Sequence, residues 1–157
     1  MNTTHVNRLI KHGAAAMLVA LAAGFCLIWS MIGGASLSPV PVFFEFEMPG
    51  SVEGWRIVHI GMLMNGMMAI ALGAAVRYLA WGGSGAAWVS WGTVIAVWGN
   101  FCFYIFGMFA PNKGVTAGAN AMGEGNLAGM LAFFPAFLGA VTLAIALIAI
   151  LRGTIRD

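Results

Sequence analysis

The chain has 157 residues, of which 61% are hydrophobic and only 8% are charged. A soluble domain carries about 25% charged residues, so this chain cannot cover a soluble surface and is expected to lie in a membrane. Seven Lys and Arg residues against five Asp and Glu residues give a net charge of +2, which is too small to indicate a nucleic-acid partner. The length fits a single domain, residues 1–157.

Long stretches without a charged residue divide the chain into four segments. A helix needs about 20 apolar residues to cross the hydrocarbon core of a bilayer, and it satisfies its own backbone hydrogen bonds there. We therefore predict an all-α, integral-membrane bundle of four transmembrane helices. In chain order the predicted helices occupy residues 13–34, 56–77, 86–109 and 127–151.

The connections between these helices carry their own signals. Residues 40–48 alternate in polarity and can pair as a strand only outside the bilayer core. Residues 81–85 (WGGSG) predict a turn between the second and third helices. The basic residues set the orientation, because cytoplasmic loops carry an excess of Lys and Arg. One side of the predicted bundle receives five basic residues and the other two, which predicts that both termini are cytoplasmic. The five are Arg8, Lys11, Arg77, Arg152 and Arg156, and the two are Arg56 and Lys113.

His59 is the only histidine in a predicted span, and polar groups inside a bilayer are costly enough to suggest a function. A neutral imidazole is the commonest metal ligand and a standard axial ligand of haem iron. Met62 lies beside His59 on this helix, and Gly66 and Gly73 follow at seven-residue intervals. This glycine stripe lets a flat ligand approach the backbone, or it is a seam for helix packing, and the spacing alone leaves both interpretations open.

Three further polar residues lie in the predicted spans. Asn100 and Tyr104 share one face of the third helix, where they can hydrogen-bond to one ligand oxygen or to a neighbouring helix. Asn65 lies about 120° around the second helix from His59, so the two can line different walls of a pocket or an interface. Trp98 and Phe103 are deep aromatic residues that fit either an apolar ligand pocket or ordinary core packing.

Several short motifs occur together in chain order, and each is weak alone. The stretches are Pro49–Trp55, His59, Asn65–Met68, Trp98–Asn100, Phe103–Phe106, Pro111–Gly114, Gly118–Asn120 and Phe134–Leu138. Taken together, they resemble one family, the styrene oxide isomerases, which are small bacterial membrane enzymes. The similarity runs from about residue 30 to residue 140.

The resemblance implies a homotrimer in the bacterial inner membrane, with haem b at the subunit interfaces. It implies that His59 binds the ferric haem iron and that Asn65 and Tyr104 hold the substrate over the iron. The implied reaction is the Meinwald rearrangement, in which an aryl epoxide such as styrene oxide becomes an aldehyde such as phenylacetaldehyde by a 1,2-hydride shift. The ferric haem acts there as a Lewis acid.

The remaining expectations concern the surroundings of the haem and the substrate. We expect Met62 and Gly66 beside the haem, and Arg56 and Lys113 at its propionates, because these two cations lie on the same outer side as His59. We expect the substrate pocket to include four further residues, Ala96, Trp98, Asn100 and Phe103.

The family has an aspartate at the position of Ala96, so the physiological substrate stays open. Two other interpretations of the chain also stay open: a haem protein of another kind, such as an electron carrier or a sensor, and an accessory membrane subunit without a cofactor.

Overall fold

Four long helices make up most of the computed structural model, which describes residues 3–80 and 83–155. Each helix is long and apolar enough to cross a membrane, which confirms the predicted all-α, four-helix class. The helices are α1 (Thr3–Ile32), α2 (Val52–Tyr78), α3 (Gly83–Gly107) and α4 (Leu127–Leu151). Four short strands accompany them, namely β1 (Gly34–Ser36), β2 (Phe43–Glu45), β3 (Leu79–Ala80) and β4 (Thr154–Ile155).

Polar side chains cap the starts of α2 and α4, and of these two starts only that of α4 agrees with the prediction. Helix α4 begins and ends at the predicted residues, and the side chain of Asn126 caps it by accepting a hydrogen bond from the Gly129 amide. Helix α2 begins at Val52 rather than at residue 56, because the Ser51 hydroxyl accepts a hydrogen bond from the Gly54 amide at 3.0 Å.

The start of α1 and both ends of α3 differ from the prediction. Helix α1 begins at Thr3 rather than at residue 13, because basic side chains are compatible with a helix although they cannot lie in hydrocarbon. Helix α3 begins at Gly83, inside the predicted turn, and ends at Gly107 rather than at residue 109. Residues 81 and 82 of that predicted turn lie outside the described residues.

Two small antiparallel ladders close the connections between helices. Strands β1 and β2 pair with Ala35 opposite Phe44, between α1 and α2. This confirms a strand within the alternating segment 40–48. Strands β3 and β4 pair with Ala80 opposite Thr154, so the segment after α4 is joined to the end of α2.

Small residues allow the helices to approach closely within two pairs. Helix α1 packs on α2, where a Cβ added to Gly13 would lie 2.8 Å from the Gly66 carbonyl oxygen. Helix α3 packs on α4, where a Cβ added to Gly139 would lie 2.8 Å from the Ala96 Cα. Contacts between α2 and α3 join the pairs. One face of α2 stays open, and it exposes the apolar side chains of Ile57, Ile60, Met64 and Met67.

Candidate functional site

The imidazole of His59 packs against Ala20 and Gly24 of α1. Its Nδ1 atom is 2.7 Å from the carbonyl oxygen of Ala20. A carbonyl oxygen only accepts hydrogen bonds, so in the neutral ring Nδ1 carries the hydrogen and Nε2 keeps its lone pair. No hydrogen-bond partner of Nε2 occurs within residues 3–80 and 83–155. A histidine that binds a metal through Nε2 needs this tautomer, so the ring is prepared to act as a ligand.

Gly24 provides the space for this ring. A Cβ at Gly24 would lie 3.0 Å from Nδ1 and 3.1 Å from Cε1 of His59. Sequence analysis identified His59 but missed Gly24 and Ala20, because neither residue is unusual in an apolar helix. The only signal was a glycine in α1, and nothing in the sequence indicates which helix faces His59.

Met62 and Gly66 are covered by α1 instead of being open to a ligand. The Met62 side chain is fully buried in the α1–α2 core. A Cβ on Gly66 would lie 2.7 Å from the Gly13 carbonyl oxygen, and Met17 also covers this position. Both residues therefore belong to the packing of α1 on α2, and their contact with a cofactor stays a prediction. Of the two interpretations of the glycine stripe, the structure favours the packing seam.

Asn65, Asn100 and Tyr104 form one hydrogen-bonded group between α2 and α3. The Asn100 Nδ2 atom donates to the Asn65 Oδ1 atom at 3.0 Å. The Asn65 Nδ2 atom donates to the Gly61 carbonyl oxygen at 2.9 Å and to the Tyr104 hydroxyl oxygen at 3.3 Å. The Tyr104 ring packs against Gly61, where any Cβ would overlap it. The structure thus brings three sequence-predicted residues together.

Tyr104 lines a cleft of about 270 Å³ at the start of α2 and the end of α3. The walls are largely apolar, and Phe103 contributes to them. Ser51, Glu53 and Lys113 add polar groups at the start of α2 and in the connection to α4. The complete lining is Ser51, Glu53, Gly54, Ile57, Phe103, Tyr104, Gly107, Met108, Lys113 and Val115. His59 is not part of this lining.

The connection between α3 and α4 is held in place by Asn112. This side chain is fully buried. It donates to the carbonyl oxygens of Thr116 and Gly118 at 3.0 and 2.7 Å, and it accepts from the Gly114 amide at 3.0 Å. Lys113 lies between these contacts with a positive φ of 56°, and the arrangement holds it at the cleft. Sequence analysis included Asn112 in the matching stretch Pro111–Gly114 but gave it no role, because loop asparagines are common.

The two cations expected at haem propionates lie in different surroundings. Lys113 lines the Tyr104 cleft. Arg56 is exposed and forms a salt bridge with Glu53 at 2.9 Å. Both stay candidates to bind an anionic group outside the bilayer core, but neither contacts the α1 residues that surround His59.

Trp98 and Ala96 do not line the Tyr104 cleft, and their place in a substrate pocket stays a prediction. The Trp98 Nε1 atom donates to the His12 Nδ1 atom at 3.0 Å, so Trp98 ties α3 to α1. Ala96 is buried against Gly139 of α4. His12 lies inside α1 and not, as expected from the sequence, in a basic segment before the first helix.

A family model described as Styrene oxide isomerase matches residues 5–155 of the chain. The chain belongs to the styrene oxide isomerase family. A curated relative, the styrene-oxide isomerase of Pseudomonas fluorescens, is 34% identical over 131 residues, which are 83% of this chain and 77% of the relative. The match to the styrene oxide isomerase model includes His59 and the Asn65–Asn100–Tyr104 group. Membership confirms the resemblance in the sequence and identifies the chain as an isomerase.

Proposed function

We propose that the chain converts a small aryl epoxide into an aldehyde. Styrene oxide is the first substrate to test, because the curated relative is a styrene-oxide isomerase. One observation carries the proposal: a hydrogen-bonded tyrosine, Tyr104, lines an apolar cleft in a chain of this family.

The reaction needs no net oxidation or reduction. The benzylic C–O bond of the epoxide breaks, since the aryl ring stabilises the cation that results, and a hydride then moves to the neighbouring carbon as the carbonyl forms. Tyr104 would donate its hydroxyl hydrogen to the epoxide oxygen and stabilise the charge that develops there. Phe103, Ile57 and Val115 supply apolar walls that limit water, which would otherwise trap the cation as a diol.

We also propose that His59 binds haem b, in the ferric state. The 2.7 Å contact between Nδ1 and the Ala20 carbonyl supports this assignment, because it leaves the Nε2 lone pair for a metal. When bound, the ferric haem would supply the Lewis acid that the epoxide oxygen requires. Arg56 and Lys113 remain our candidates for contacts with the propionates.

His59 and Tyr104 lie on different sides of α2, and we therefore place the complete site between subunits of a homotrimer. His59 is turned towards α1, whereas Tyr104 meets α2 from the α3 side. Between them lies the open apolar face of α2, which exposes Ile60, Met64 and Met67. A second subunit on this face would cover these side chains and bring its own Tyr104 cleft close to His59.

We propose the bacterial inner membrane as the location, with both termini in the cytoplasm. The support is the distribution of basic residues, of which Arg8, Lys11 and Arg77 lie at the same end of the described helices. A reporter fused to the C-terminus should be active only if it is a cytoplasmic reporter.

The first experiment is an absorption spectrum of the detergent-purified protein, with and without dithionite, together with an assay for phenylacetaldehyde from styrene oxide. We expect a Soret band and turnover in the wild type. His59→Ala should lose both, and the control His5→Ala should keep both, because the hydrogen bonds of His5 within the described residues are to Arg8 and Ser90, at the start of α1.

Three results would overturn parts of this proposal. A protein without a Soret band after haem is supplied during expression would exclude the haem and favour an accessory subunit. A six-coordinate, low-spin spectrum without turnover would favour an electron carrier. A Soret band that survives in His59→Ala would remove His59 as the ligand.

A further inference from the structure

The direction of the hydrogen bonds between α2 and α3 determines which group can reach a substrate. Asn100 donates to Asn65, and Asn65 donates to the oxygen of Tyr104. A carboxamide has two N–H hydrogens and one acceptor oxygen. Both hydrogens of Asn65 are used, one by the Gly61 carbonyl and one by Tyr104. Asn65 therefore has no hydrogen left to donate to an epoxide oxygen.

The Tyr104 hydroxyl is in the opposite situation. Its oxygen accepts a hydrogen bond from Asn65, so its own hydrogen must point elsewhere. Across the described parts of the chain, 3–80 and 83–155, no acceptor for this hydrogen occurs. Because Tyr104 also lines the cleft, it can donate to a ligand oxygen there.

The Gly61 carbonyl oxygen and the Asn100 side chain fix this direction together. An asparagine amide can rotate by half a turn and exchange its donor and acceptor atoms at little cost in shape. After such a rotation, Asn65 would present its Oδ1 atom to Tyr104, and the hydroxyl hydrogen would be consumed inside the protein. The N–H of Asn100, which donates to Oδ1 at 3.0 Å, opposes this rotation, because the rotated amide would place two donors face to face.

We propose that Asn100 is a positioning residue that acts through Asn65 to keep the hydroxyl hydrogen of Tyr104 free for the substrate oxygen. Asn65 then holds Tyr104 instead of touching the substrate. Tyr104 is the catalytic donor, and it is the last of three groups that each donate a hydrogen bond to the next. Successive hydrogen bonds in such a chain also polarise one another and strengthen the last donor. The inference rests on the proposed epoxide isomerisation and adds the order in which its residues act.

A double-mutant cycle on the haem-loaded protein tests this order. We expect Tyr104→Phe to lower kcat about 100-fold, as the loss of a donor to a developing oxyanion does. Asn100→Leu, which keeps the branching of the side chain but has no donor, should lower kcat about 10-fold with little change in KM. The double variant should be no slower than Tyr104→Phe alone, because Asn100 acts only through Tyr104.

Two kinetic outcomes would contradict the inference. If the two losses multiply in the double variant, Asn100 acts independently of Tyr104. If Asn100→Leu raises KM and leaves kcat unchanged, it shapes the pocket instead. Thr142→Val is the matched control, because it removes another hydrogen bond to α3, from the Thr142 hydroxyl to the Gly92 carbonyl at 3.2 Å, far from the cleft. We expect its kcat and KM to equal those of the wild type.

A spectroscopic measurement separates the inference from the proposed activity. The chain has two tyrosines, Tyr78 and Tyr104, and Tyr78 is 64% exposed at the end of α2. In a Tyr78→Phe background with ¹³C-labelled tyrosine, the infrared C–O stretch reports the hydrogen bonding of Tyr104 alone. Asn100→Leu should shift this band.

The infrared band and the turnover assay test different statements. An unchanged band in Asn100→Leu would overturn the inference whatever the activity. A shifted band in a protein that converts no aryl epoxide would support the order of hydrogen bonds and overturn the proposed function.

Discussion

The position of the His59 imidazole depends on the absence of a side chain at Gly24. Gly24 stands directly against the ring, and the Ala20 carbonyl, one helical turn earlier in α1, accepts the hydrogen of Nδ1. The carbonyl belongs to the backbone, so no side-chain substitution removes it directly. The glycine can be changed, and a side chain there would meet the ring.

We predict that Gly24→Ala weakens haem binding without unfolding the protein. The new methyl group would lie 3.0 Å from Nδ1, which forces the ring away from the Ala20 carbonyl. Loss of such an orienting contact typically costs about 10-fold or more in metal affinity. Haem titration followed at the Soret band checks this effect. The control Gly118→Ala adds the same methyl group where nothing lies within 4 Å. Equal haem affinities of the two variants would show that Gly24 does not set the position of the His59 ring.

At the scale of elements, the α1–α2 seam depends on Gly66. We predict that Gly66→Val destabilises the protein by about 1–3 kcal/mol, as overpacking does, because the Gly13 carbonyl and Met17 occupy the space of a side chain. Thermal unfolding in detergent measures the change. Ala74→Val on the exposed side of α2 controls for the helix propensity of valine. Equal melting temperatures for the two variants would contradict the seam.

The sequence predicted these elements well but could not predict which side of each helix is covered. Charge-free stretches located all four spans, because a bilayer excludes charge from a long segment. Gly66 lies almost on the same side of α2 as His59, so both looked equally available to a ligand. The structure separates them, because α1 covers Gly66 completely, whereas Gly24 of α1 leaves room for the His59 ring itself. This difference arises from how two helices cross, which the periodicity of one helix does not contain.

For the whole molecule, the proposed site divides into two halves within one chain. His59 lies on the α1 side of α2, and Tyr104 lies on the α3 side with the open apolar face between them. Asn65 and Tyr104 were correctly grouped from the sequence, but their separation from His59 was visible only as an angle of about 120° around a helix. A single copy of the chain thus explains the geometry of each half, and a closed ring of copies would explain how the halves meet.

This arrangement predicts that two inactive chains can restore activity in one oligomer. His59→Ala and Tyr104→Phe should each be nearly inactive alone. In a cyclic trimer formed from both variants, each interface takes His59 from one chain and Tyr104 from its neighbour. An interface is intact where the Tyr104→Phe chain supplies His59 and the His59→Ala chain supplies Tyr104. Random assembly from equal amounts gives such an interface at about a quarter of the sites, so about a quarter of the wild-type activity should return.

The decisive comparison is between co-expressed chains and the same chains mixed after separate purification. Subunits buried against each other in a membrane exchange slowly, so activity should return on co-expression and stay low in the mixture. A second pair, Tyr104→Phe with Asn100→Leu, is the matched control. Both changes lie in the same half of the site, so every unmodified Tyr104 comes from a chain that carries Asn100→Leu. Mixing the two chains therefore creates no intact site, and activity should not exceed the average of the two homotrimers. If His59→Ala with Tyr104→Phe also stays inactive, the iron ligand and the proton donor must meet within one subunit, and α2 must rotate to bring them together.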